Sequence, residues 1–119
     1  MQSQKPKLKQ RAYQYALHVI SFLNTCPKNN TTEVIIKQLL RSATSIGANI
    51  IEAQSSSSRK DFANFFNHAL KSANESIFWF NLLKDSQNVK GQTIVDLIRE
   101  TQELANILGA SLLTMRGKR

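Results

Sequence analysis

Between Arg41 and Gln54 the chain reads Arg-Ser-Ala-Thr-Ser-Ile-Gly-Ala-Asn-Ile-Ile-Glu-Ala-Gln. Wound at about 100° per residue, this stretch separates into two unlike faces. Leu39, Ala43, Ile46, Ile50 and Ala53 gather on an apolar one, while Arg41, Ser45, Asn49 and Glu52 stack along the other. A face that meets only water is rich in Lys and Glu. Short polar side chains compete with the helix's own backbone hydrogen bonds, so their presence here predicts that the second face also meets protein.

The same helical period runs through the rest of the chain. Leu8, Ala12, Tyr15, Val19, Phe22 and Cys26 recur at spacings of three and four, which predicts a first helix over 7–25. It stops before Pro27, because the residue preceding a proline is biased away from helical dihedrals. Asn30 with Glu33 resembles a capping box and opens a second helix over 31–56. Gly47 inside it costs about 1 kcal/mol against Ala and marks either close approach by a neighbour or a slight bend. Ser55 to Ser58 break the pattern as a turn, with phosphorylation the rival use of the four hydroxyls. Ser58 and Asp61 then cap a third helix over 59–86, whose Phe62, Phe65, Phe66, Ala69, Ala73, Ser76, Ile77, Phe80 and Leu83 share one side. Thr93 and Asp96 open a fourth over 93–116, striped by Ile94, Leu97, Ile98, Thr101, Leu104, Ala105, Leu108, Leu112 and Met115 and ended by Gly117. No strand alternation occurs. The pattern predicts an all-α, antiparallel up-down-up-down four-helix bundle with short basic tails at 1–6 and 117–119.

At 119 residues the chain is one domain with room for a core. No apolar run approaches the ~18 residues of a membrane span, so no membrane partner is expected. The start, Met-Gln-Ser-Gln-Lys-Pro-Lys, lacks an apolar signal region, and the single Cys26 has no internal disulfide partner; both suggest a cytoplasmic setting. The chain has no Cys/His zinc cluster, no Glu-x-x-His pairs of a di-metal bundle and no glycine-rich phosphate loop. No cofactor, metal site or catalytic residue is therefore assigned, and the chain reads as non-enzymatic. One remote alternative stands apart: Arg11 and His18 have the R-x6-H spacing of HEPN-type ribonucleases, although on the wrong helix for that class.

Two features point to partners. Phe78, Trp79 and Leu82 lie about 100° or more from the core side of the third helix, beside Glu75. Such a patch marks a contact between chains, unless Trp79 simply packs on the adjacent helix. The turn near Ser57 and Ser58 also sets a register in which Arg41 is level with Glu75, Ser45 with Ser72, and Asn49 with His68. An Arg41–Glu75 ion pair follows, within the hairpin or onto a neighbouring subunit. The second feature is charge. Sixteen Lys and Arg stand against eight acids, a net charge of +8. The predicted topology collects Lys5, Lys7, Lys9, Arg11, Arg59, Lys60, Arg116, Lys118 and Arg119 at one end, beside Asp61. That is the electrostatic footprint of an RNA or DNA binder; solubility is the plainer reading.

Arg41 to Glu52 closely resembles the RRA-x-SIPANIAEG segment of the 23S rRNA intervening-sequence, or S23-like, proteins, and Ala69 to Glu75 is similar to their A-x-GS-x-x-E segment. The likeness extends from about Lys9 to Leu113. Ser42 stands where the family has Ala, Gly47 where it has Pro, Ala53 where it has Gly, and Lys71 where it has Gly. The resemblance implies a cytoplasmic bacterial four-helix protein, with homopentameric rings among relatives. It also implies kinship with the accessory variability determinant of diversity-generating retroelements, which binds nucleic acid together with its reverse transcriptase. A ring would repeat the basic end five times and bury the Phe78/Trp79/Leu82 patch and the Arg41/Ser45/Asn49/Glu52 row. A structural scaffold or protein-partner module without nucleic-acid binding is the alternative.

Overall fold

The computed structural model describes residues 7–117 and contains four helices: α1 (Leu8–Leu23), α2 (Asn30–Ser55), α3 (Arg59–Ser86) and α4 (Gln92–Met115). Among the described residues there is no strand.

The helix ends show local chemistry at work. α1 ends at Leu23, short of the proline, because the chain tightens first. The N–H groups of Thr25 and Cys26 reach back only three residues, to the carbonyls of Phe22 and Leu23. α2 is capped by Asn29 and not Asn30: the Asn29 side chain accepts from the Thr32 N–H at 2.9 Å. The run Asn29-Asn30-Thr31-Thr32 offers several short polar caps, and only the backbone settles which one is used. Ser58 caps α3 as expected, accepting from the Asp61 N–H at 3.0 Å. α4 starts one residue before the predicted Thr93 cap. Its N-cap is Gly91, with φ at 115°, a conformation that favours glycine. Thr93 lies inside the first turn, and Asp96 instead accepts from the Gln92 side chain at 2.8 Å.

The helices form a four-membered cycle. Each packs on its neighbours in chain order and α4 closes weakly onto α1; across the diagonal, α1 and α3 meet through side chains, with the rings of Phe22 and Phe80 6.4 Å apart. Cross-helix contacts fix the alternating directions. Ser42 meets Ser76 and Thr32 meets Gln87 between α2 and α3. Tyr15 meets Thr101 between α1 and α4, and Arg59 reaches the Met115 carbonyl between α3 and α4.

The core follows the apolar stripes. Val19, Leu39, Ile46, Ile50, Phe80, Leu83, Ile94, Leu104 and Leu108 are fully buried; each such side chain contributes about 1.5–3 kcal/mol. Thr32, Ser42, Ser76 and Thr101 are buried with them. Every buried side-chain N or O atom among the described residues has a partner, as a low-dielectric interior demands.

Candidate nucleic-acid interface

One end of the bundle holds the start of α1, the α2–α3 turn and the end of α4. Lys7, Lys9, Lys60 and Arg116 are exposed there. Arg59 is exposed too, and its Nη2 donates to the Met115 carbonyl at 2.8 Å. That contact places a cation on the negative end of the α4 dipole. Lys5, Lys118 and Arg119 lie outside the described residues.

Arg11 sits differently from the other predicted cations. Its Nε donates to Glu100 Oε2 at 2.7 Å and its Nη2 to Glu100 Oε1 at 2.9 Å, and Nη2 also pairs with Glu103. The hydrogen bond from Arg11 holds the Glu100 carboxyl below the ordinary carboxylate range, against the opposing pull of burial. The charge of Arg11 is spent inside the protein, joining the loosest helix pair. Glu52, exposed in the last turn of α2, adds an acid that the sequence arithmetic left out of this end. The described cationic surface is therefore Lys7, Lys9, Arg59, Lys60 and Arg116 facing Asp61 and Glu52, a smaller excess than the sequence count.

The polar row on α2 lines a seam against α3. Arg41 pairs with Glu75, and the same Glu75 oxygen accepts from the Trp79 indole N–H at 2.9 Å. Ser72 donates to Ser45 at 3.0 Å. Inside this line, Ser42 and Ser76 share a buried hydrogen bond of 2.8 Å. Asn49 does not reach His68. Its amide turns back to the carbonyl and hydroxyl of Ser45, both at 2.9 Å, and His68 is exposed. Glu52 also stays clear of the seam and faces solvent.

The aromatic patch divides. Trp79 is half-buried against the rim of the core, while Phe78 and Leu82 remain 57% and 37% exposed. Phe78 meets Trp79 edge-on, with ring centroids 5.0 Å apart. A second apolar surface escaped the sequence reading. Tyr13, Leu17 and Ile20 on α1 and Leu40 and Ile51 on α2 are all exposed along the groove between those helices. Its signal was present: Tyr13, Leu17 and Ile20 repeat at four and three, offset from the core stripe of α1.

Fold and surfaces together define a class: a small four-helix bundle protein with a polar hairpin seam, a cationic end and two uncovered apolar faces. Residues 4–110 match the family model described as 23S rRNA-intervening sequence protein. The chain belongs to that family. A solved structure from Bacteroides thetaiotaomicron, described as a protein of unknown function from the S23 ribosomal protein family, is 32% identical to it. The TM-score is 0.79, with 89% of this chain and 98% of that one covered. No curated protein matched.

Proposed function

We propose that this chain is a non-enzymatic, homo-oligomeric protein that binds RNA or DNA through the basic end of its bundle. The supporting observation is the exposed group Lys7, Lys9, Arg59, Lys60 and Arg116 at the end shared by the start of α1, the α2–α3 turn and the end of α4. A single bundle presents few phosphate contacts. The pentameric assembly implied by the family likeness repeats them fivefold, and affinity for one long polyanion then rises through effective concentration. Binding is governed by backbone charge and not by base sequence, since the exposed group is made of Lys and Arg, with Tyr13 the exposed aromatic one turn along α1 from Lys9. A cytoplasmic accessory role beside a nucleic-acid enzyme, such as a reverse transcriptase, suits such a protein. A ribonuclease of HEPN type fits less well, because Arg11 is held by two carboxylates and is poorly placed to meet a phosphate.

The test is ionic strength. The logarithm of the affinity for a generic RNA or DNA should fall with the logarithm of salt, with slope about −0.7 to −0.9 per phosphate neutralised. Changing Lys7, Lys9 and Lys60 to Gln should flatten that slope. Absence of binding at low salt would overturn the proposal in favour of a scaffold or protein-partner module, for which a co-purifying protein is the expected observation.

A further inference from the structure

The cations at the basic end have an aromatic neighbour. One turn along α1 from Lys9 stands Tyr13, 63% exposed. Both side chains border a cleft of about 440 Å³ between α1 and α2. Tyr13 and Leu17 wall it on the α1 side and Ile51 on the α2 side, with Gly47 and Ala48 between them. Among the described residues, Lys9 is the one charged residue in its lining. α1 itself contains no acid, and the carboxylates that reach it from α4, Glu100 and Glu103, are held by Arg11.

The two parts of this arrangement match the two parts of a nucleotide. Lys9, with Lys7 just before the same helix, suits a phosphate. An apolar slot with an aromatic wall suits the face of a base. In a duplex the bases are already paired and stacked, so their faces are closed to side chains. In a single strand they are free to turn out and stack on an aromatic ring.

We propose that the α1–α2 cleft at the basic end holds an unpaired base stacked on Tyr13, with Lys9 on the adjoining phosphate, so that the preferred ligand is a single-stranded nucleic acid. The inference rests on the nucleic-acid reading proposed above and adds the class of strand to it. Stacking tolerates any base, because every base has a π face, which agrees with binding that ignores sequence. Charge alone would choose otherwise: a duplex is denser in phosphate and releases more counterions per contact. A preference for single strands therefore reports the cleft and not the cations.

Titration of the full chain at low salt with oligo(dT), and with a duplex carrying the same number of phosphates, tests this. Wild type is expected to bind the single strand about fivefold or more tighter than the duplex. Tyr13→Ala should abolish that difference by weakening the single strand alone, whereas Tyr13→Phe, which keeps the ring, should preserve it. An abasic strand of equal charge should bind wild type no better than the duplex does. Equal affinities of wild type for strand and duplex, or an alanine variant that keeps the preference, overturn the proposal. Should the alanine variant fail to fold, the wild-type protein gives a second readout. Irradiation of its complex with a strand containing 5-iodouracil should join the base to Tyr13, and adducts confined to other residues overturn the assignment. Absence of binding by either probe overturns this inference together with the proposed function; binding of both with equal affinity overturns this inference alone.

Discussion

At the scale of single residues, the decisive contacts join positions far apart in the chain. The Thr101 hydroxyl donates to the Leu97 carbonyl at 2.6 Å, so the buried Tyr15 hydroxyl donates to Thr101 at 2.6 Å. Burial pushes the Tyr15 phenol well above its usual range. The two ends of this bond are therefore unequal. Thr101→Val leaves the Tyr15 hydroxyl in the core without that acceptor and should cost about 1–3 kcal/mol. Tyr15→Phe leaves Thr101 bonded to Leu97 and should cost about 1 kcal/mol or less. Urea midpoints of the two variants decide it, and equal losses would refute the asymmetry. Glu100 carries the pH dependence. Its folded pKa is lowered by Arg11, so its contribution is full above the unfolded value of about 4.3 and is lost as pH falls through the folded value. Glu100→Gln should cost about 1 kcal/mol near neutrality, because the pair is about one-third exposed and partly screened. The gap to wild type should close in acid; a constant gap from pH 7 to pH 3 would show that the charge is not responsible.

At the scale of elements, the stripes of apolar residues specified four helices, and the short α2–α3 turn specified their register. Ser45–Ser72 and Arg41–Glu75 were readable for that reason: a three-residue turn leaves little freedom in how its arms align. Caps were less readable, because neighbouring Asn and Thr residues are chemically equivalent donors and acceptors until the backbone chooses among them. Gly47 is now explained. Its neighbour is Ala12 of α1, and a Cβ placed on Gly47 would lie 3.5 Å from the Ala12 Cβ, an ordinary contact. Close approach of α1, and not a need for glycine, characterises the position. Gly47→Ala should therefore stabilise the protein by up to about 1 kcal/mol through helix propensity, raising the melting temperature by a few degrees. Gly47→Leu should lower it by wedging α1 off α2, and a fall with Ala would mean that the interface is tighter than the structure has it.

For the molecule as a whole, alternating helix directions bring lysines and arginines from three separate segments to one end. Location, not total charge, should then govern binding. Lys7→Glu with Lys60→Glu should weaken affinity for a generic RNA or DNA about tenfold or more at low salt, while Lys84→Glu with Lys90→Glu, the same change at the opposite end, should have a much smaller effect. Filter binding at two salt concentrations checks this, and equal losses would point to net charge alone.

Helices, core stripes and the hairpin seam were in the sequence because each depends on residues close along the chain, or on two arms joined by a short turn. Only the tertiary structure decided that Glu100 and Glu103 consume the charge of Arg11, and that Tyr13, Leu17 and Ile20 are left outside the core. Both outcomes depend on how α1 settles between α2 and α4. That placement is governed by packing between segments some ninety residues apart, where helical periodicity carries no information.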